Sequence, residues 1–266
     1  MKTPAILKVE GLTVKQGKRV LLEDLCFTVA NKEFVGVIGE NGCGKSSLLA
    51  HLSGTDDTAN TQVRMNNRLL NSYDPKEMAC QRAVMQQITT APFGFLVEEI
   101  LLLGRSRYKE STANALALIN DVAQLLDIRH LIPRNIQTLS GGERQRVFLA
   151  KTILQLLNVG TRLHIADFTG KLLLLDEPTS ALDIRHQKAV MVALQSLKQA
   201  GLAIICVSHD INLITPYCDT ILLLANGGCL VKGPPKAVLT QHYLTQCFQT
   251  EIAVLYREDG SHFISF

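Results

Sequence analysis

The chain has 266 residues, of which 47% are hydrophobic and 19% charged, and a formal net charge of +3. That is enough chain to bury one sizeable core, and the near balance of charge excludes a dedicated nucleic-acid binder, which would carry a strongly basic face. The longest apolar stretches, such as Leu172–Leu175 and Ile221–Ala225, fall far short of the roughly 20 residues of a membrane span, and seven singly scattered cysteines without a Cys-x-x-Cys pair read as reduced thiols.

At the N-terminus, MKTPAILKVE lacks the apolar run of a secretory signal and turns charged at once, so a chain that stays in the cytosol is expected. The run Phe34–Ile38 is continuously apolar, as in a strand covered on both faces. It leads into Gly39-Glu-Asn41-Gly42-Cys43-Gly44-Lys45-Ser46 and then a helical run from Ser47 to Leu52. Strand, G-x-x-x-x-G-K-[ST] loop and helix in this order form a phosphate loop. Glycines without Cβ let backbone N–H groups curl around phosphates, and the helix N-terminus adds a favourable dipole. Lys45 supplies a point charge to the β- and γ-phosphates and Ser46 a hydroxyl to Mg²⁺. Gly39, Asn41, Gly42, Cys43, Gly44, Lys45, Ser46 and Ser47 are thus the candidate triphosphate-binding set.

The apolar piece Ala83–Met85 follows, then Gln87. From about Ile88 to Gln137 the pattern is helix and loop, with Leu116, Ile119, Val122 and Leu126 on one helical face. We read 88–137 as a helical insertion in a core made of 1–87 and 138–230. Next stands Leu139-Ser140-Gly141-Gly142-Glu143-Arg144-Gln145, before a helix that aligns Val147, Ala150, Ile153, Leu154 and Leu157. A serine and two glycines at a helix start can bind an anion through N–H groups and a hydroxyl, or simply cap the helix. The run Leu172–Leu175 ends in Asp176 and Glu177. At the carboxyl end of a buried parallel strand, Asp176 is placed to hold Mg²⁺ and Glu177 to orient or deprotonate the attacking water. A third helix aligns Ile184, Val190, Leu194 and Leu197 and stops at Gly201. Strands follow at 202–207 and 220–224, then a short helix over Lys236–Phe248 and a last strand-like piece, with 231–266 read as a C-terminal extension. Strands alternating with helices indicate an α/β fold.

Residues 139–145, LSGGERQ, resemble the signature motif of ATP-binding cassette proteins, and they sit between the phosphate loop and the acidic strand in that family's order. Ser180-Ala-Leu-Asp183 resembles the family's D-loop, Val207-Ser-His209-Asp its switch histidine, and Gln87 its Q-loop glutamine. The resemblance runs from about Leu7 to Val231. It implies a single P-loop ATPase domain: a parallel-rich sheet flanked by helices, an antiparallel β part at the N-terminus and the helical subdomain. It implies ATP and Mg²⁺, with Ser46, Gln87 and Asp176 toward the metal and Glu177, His209 and Gln87 in catalysis. Two copies of the chain would sandwich ATP, Ser140, Gly141 and Gly142 of one capping the γ-phosphate held by the other, with Asp183 acting across the interface. Two membrane permease subunits would dock on the loop Ile88–Arg107 and its neighbouring helices, fed by a periplasmic binding protein. No nucleic-acid partner is expected, and the location would be the cytoplasmic face of the bacterial inner membrane.

Within that family, Arg82–Arg105 and Thr179–Gln187 resemble the importers of iron chelates, haem and vitamin B12. The stretch Leu156–Gly170 has the extra length of haem-importer ATPases, so haem is the first expectation and a siderophore or B12 the alternative. A cassette ATPase of DNA repair or translation is the rival of another class, but there is no second phosphate loop, heptad run or cysteine cluster. A regulatory subunit with little turnover is opposed by the presence of Glu177 and His209. One departure stands out: where the family often stacks an aromatic on adenine, the place falls at Val14 with no aromatic nearby.

Overall fold

The structure is a computed structural model that describes residues 5–54, 62–87, 94–256 and 262–265. It forms two compact units, Met1–Tyr73 with Ala203–Phe266, and Asp74–Leu202. The alternation of strands and helices makes an α/β protein, with parallel strands in each unit and antiparallel strands at its N-terminus.

In the first unit, β1 (Ala5–Gln16) and β2 (Arg19–Ala30) pair antiparallel around a turn at Gly17. Their inward positions include Val9, Leu12 and Val14 facing Leu22, Leu25 and Phe27, the period of two expected of a half-buried sheet. β3 (Phe34–Gly39) is buried at every position and feeds α1 (Lys45–Leu52). β4 (Val63–Met65) joins β1, and the Asn66–Asn67 turn, both residues at positive φ, leads to β5 (Arg68–Leu69).

The second unit starts with α2 (Pro75–Gln81), whose cap Asp74 accepts from the Lys76 and Glu77 N–H groups, with proline at the first helical position. β6 (Arg82–Met85) follows, then α3 (Val97–Leu103), α4 (Thr112–Leu125) and α5 (Gly141–Leu154). β7 (Leu172–Asp176) lies parallel to β6, Arg82 facing Leu172 and Met85 facing Leu175, and α6 (Ile184–Gln199) closes the unit. Between α5 and β7 the longer stretch is tied down. Arg162 clamps Asp121 of α4 at 2.7 Å, Phe168 is buried, and Lys171 holds the Leu156 carbonyl.

The chain then returns to the first unit with β8 (Ala203–Val207), α7 (Ile211–Ile214), β9 (Thr220–Ala225), β10 (Gly228–Gly233), α8 (Pro235–Val238), α9 (Gln241–Phe248), β11 (Ala253–Tyr256) and β12 (His262–Ser265). β3 lies between β8 and β9, parallel to both, and β10 turns back on β9 through Asn226–Gly227. Asn212 of α7 exchanges two hydrogen bonds with Ile264 of β12, fastening the terminal hairpin.

Several expected details change. The buried face of α4 is Ala115, Leu118, Ile119 and Val122, while Leu116 is only half-buried at its flank. Ile184 is 84% exposed, because it opens α6 where the first turn runs clear of the core. The helix expected over Lys236–Phe248 is two: the chain breaks at Leu239, and the Thr240 hydroxyl caps a new start by accepting from the Tyr243 N–H. Gly201 ends α6 in the left-handed conformation, as expected. Among the described residues no helix is long and apolar enough to cross a membrane.

Candidate functional site

The phosphate loop belongs to the first unit. It leaves β3 at Gly39, where a side chain would stand 2.5 Å from the Leu224 carbonyl, and passes Gly42 and Gly44 at φ +76° and +106°. Only glycine takes these positions without strain. Gly44 then caps α1 with no side-chain bond, and no acidic residue lies in the first turn, so the helix start keeps its positive end toward an anion. Lys45 is buried and folds its ammonium back onto the Gly39 and Glu40 carbonyls, both at 2.7 Å. Asn41, Gly42 and Ser46 are exposed and Cys43 and Ser47 half-buried around it. Burial pushes the Cys43 thiol up, against the pull of neighbouring Lys45. Cys247 of α9, buried beside Cys43, is pushed up to about 11. In the same unit, His209 follows β8 on the surface, and Asp210 next to it caps α7.

The second unit holds the remaining candidates, and it brings several together. Asp176 ends β7, almost wholly buried, and Glu177 follows at φ +50°, a left-handed backbone that a non-glycine residue adopts only when its surroundings impose it. The imposing group is Gln145. From inside α5 it donates to the Glu177 carbonyl at 2.7 Å and to the Ser180 hydroxyl at 3.2 Å, and it accepts from the Ala181 N–H at 3.1 Å. Gln87 donates to the Glu177 carboxylate at 3.0 Å, so these two candidate residues already touch.

Ser140 caps α5 by accepting from the Glu143 N–H at 3.2 Å, and the Glu143 carboxylate accepts from the Ser140 N–H at 2.7 Å. This is a capping box, and the Ser140 N–H holds the Glu143 carboxyl below the usual range. Gly142 is required for close approach: a side chain there would meet the Ala181 carbonyl at 2.8 Å. Asp183 caps α6 through the His186 N–H at 2.8 Å, which holds its carboxyl low. Ser140, Gly141, Gly142, Asp183 and His186 thereby line one open cleft of about 440 Å³, floored by Arg146, whose guanidinium donates to the Leu126 and Asp127 carbonyls.

For a metal, Ser46, Gln87 and Asp176 offer hydroxyl, amide and carboxylate oxygens. That is the hard-donor set that suits Mg²⁺, an ion that keeps waters and phosphate oxygens in its shell rather than filling an all-protein cage. Among the described residues no three His, Cys, Asp or Glu side chains form such a cage.

One expectation changes, and another falls partly outside the described residues. Val14 is fully buried in β1 opposite Leu22, so it is a core position and offers no face for a base; Lys15 and Gln16 are the exposed residues at that strand end. Part of the expected permease-docking loop, 88–93, lies outside the described residues. The residues that sequence reasoning passed over are Glu143 and Gln145. Glu143 could have been found, since Ser140-x-x-Glu143 is a capping-box spacing; Gln145 stands out only as a polar residue at helical spacing from apolar Leu149, with its partners far along the chain.

A family model described as "ABC transporter" matches residues 22–180. The hemin import ATP-binding protein HmuV of Pseudomonas entomophila is 37% identical over 257 residues, covering 97% of this chain and 98% of its own. HmuV of Bradyrhizobium diazoefficiens is 35% identical over 260 residues, covering 98% and 94%. Among solved structures, a metal-chelate type ABC transporter in an inward-facing conformation superposes with a TM-score of 0.75 at 25% identity, covering 98% of this chain and 96% of that one. The ATP-binding cassette MJ1267 in its ADP conformation shares the fold with a TM-score of 0.74 at 21% identity, covering 94% of this chain and 100% of that one.

Proposed function

The chain belongs to the ABC transporter family, whose cassettes bind and hydrolyse ATP to drive transport, and from that premise we propose that it powers the import of haem or a related iron chelate. One observation carries the cargo: similarity over nearly the whole chain to proteins named for hemin import. The same motor serving a ferric siderophore or B12 importer is the nearest alternative, and the metal-chelate transporter among the structural relatives fits either.

Each role follows from the chemistry of its residue. Residues Gly39 to Ser47 wrap the triphosphate in N–H groups, and Lys45 leaves its two carbonyls for the β- and γ-phosphates. Ser46, Asp176 and Gln87 would hold Mg²⁺, which would supply positive charge against that developing on the transferred phosphoryl group. Glu177, its backbone fixed by Gln145, orients and deprotonates the attacking water, with Gln87 already at its carboxylate. His209 contacts the γ-phosphate. Ser140, Gly141 and Gly142 present a helix start to the γ-phosphate held by a second copy, and Asp183 acts at that junction. ATP supplies the charge that draws the two copies together, and phosphate release removes it. Two permease subunits dock near Gln87, on the cytoplasmic face of the inner membrane, and a periplasmic binding protein delivers the cargo.

The test is reconstitution with the permease and periplasmic binding protein of a haem importer. Haem-loaded binding protein stimulates ATP hydrolysis in proteoliposomes; equal stimulation by a siderophore or B12 and none by haem defeats the cargo assignment while leaving the ATPase intact.

A further inference from the structure

The start of the β6–β7 pair gathers cations around the end of α5. Lys171, the residue before β7, donates to the Leu156 carbonyl and to Asn158 Oδ1 at 2.6 Å. Arg105 is buried, donates to the Leu154 and Leu157 carbonyls at 2.7 and 2.5 Å, and binds Glu110 at 2.7 Å while its guanidinium lies over the Tyr108 ring. These two cations have a local purpose, since the last carbonyls of a helix lack internal partners and favour positive charge.

Arg82 and Arg107 have none. Nε and Nη1 of Arg82 and Nε of Arg107 are shut away from solvent and meet no hydrogen-bond acceptor among the described residues. The Arg82 backbone is pinned, its carbonyl taken by Gln155 at 3.0 Å and its strand paired with β7, so the side chain does not escape by moving the strand. Burial and the like charge of Arg107 together push the Arg82 guanidinium down to about 10. Glu110 is engaged by Arg105 through Oε1, and its Oε2 meets no partner among the described residues. Arg107 stands next to Tyr108, whose hydroxyl donates to the Gln155 carbonyl at 2.8 Å, while the Gln155 amide donates to the Arg82 carbonyl, so the two arginines are neighbours. Neighbouring guanidinium groups with desolvated, unfilled donors are costly alone and favourable around an oxyanion, whose oxygens match the planar fork.

We propose that Arg82 and Arg107 form a binding site for one oxyanion, a phosphate or a carboxylate group, separate from the nucleotide residues. The chemistry is common to a dissolved phosphate and to an acidic side chain brought by another protein, and the experiment separates the two. It stands independently of the haem reading.

The test is thermal melting of the full chain saturated with ADP, so that the phosphate loop is filled, at constant ionic strength. Inorganic phosphate and a short glutamate-rich peptide are the two probes. Wild type gains about 3 °C with one of them: phosphate identifies a free anion, the peptide a partner carboxylate. Arg107→Gln gains nothing from either and melts no lower than wild type without them, because removing one cation relieves the repulsion. Arg107→Lys, which keeps the charge and loses the fork, gains less than half the wild-type shift. Equal gains in wild type and Arg107→Gln, or no gain in wild type from either probe, overturn the site. Fluorescent-nucleotide binding to Arg107→Gln, measured without ADP, matches wild type; its loss would overturn a site separate from the nucleotide residues.

Discussion

The two units carry their candidate site residues in different ways. The phosphate loop is made of backbone: Gly42 and Gly44 occupy left-handed conformations, and the start of α1 is left without side-chain caps. The signature region is made of side chains: Glu143 closes a box on Ser140, Asp183 caps α6, and Gln145 bridges Glu177, Ser180 and Ala181. A backbone cradle is fixed by steric permission and fails all at once. A side-chain network is fixed by hydrogen bonds and fails in steps.

Substitutions sharpen that contrast. Lys45→Ala removes the cationic side chain of the cradle, and we expect ATP hydrolysis to fall roughly 100- to 1,000-fold, by analogy with losing a preorganised charge-stabilising donor. Phosphate-release assays check this, and parental turnover would break the comparison on its first side. Gln145→Ala should act on the other side. It releases the Glu177 backbone from its imposed conformation, so kcat falls roughly tenfold with little change in nucleotide affinity. It also leaves the Ala181 N–H without its buried acceptor, at a cost of about 1–3 kcal/mol in denaturant unfolding.

How much of this was legible follows the same division. The cradle could be read directly, because glycine is the residue that left-handed turns demand and its spacing announces them. The parallel strands were legible from continuous apolar runs such as Leu172–Leu175. The network was not, because Gln145 reaches Glu177 and Ala181 across more than thirty positions of chain, a proximity that folding creates. Tertiary context likewise decided that Ile184 faces water and that the chain breaks at Leu239.

Cys43 gives a pH handle on the cradle. Its thiol is raised by burial, so the reactive thiolate is scarce at neutral pH and grows as pH rises. Alkylation by N-ethylmaleimide should accelerate about tenfold per pH unit between pH 7 and 8.5, abolish hydrolysis and be blocked by ATP; mass spectrometry of the modified peptide follows it. A rate flat with pH, or full activity after confirmed modification, contradicts the assignment. The smallest effect concerns the base. With Val14 in the core and no aromatic among residues 12–19, ATP and GTP should be hydrolysed with kcat/KM values within about tenfold, an aromatic stack contributing about 1 kcal/mol. A much larger preference for ATP would reveal a base contact elsewhere.

The most direct test joins the two regions through a second copy of the chain. In Glu177→Gln, ATP binds but is not split, and sedimentation should show a monomer without nucleotide and a dimer with two ATP molecules retained. A protein that binds ATP in that variant and still sediments as a monomer would contradict the account.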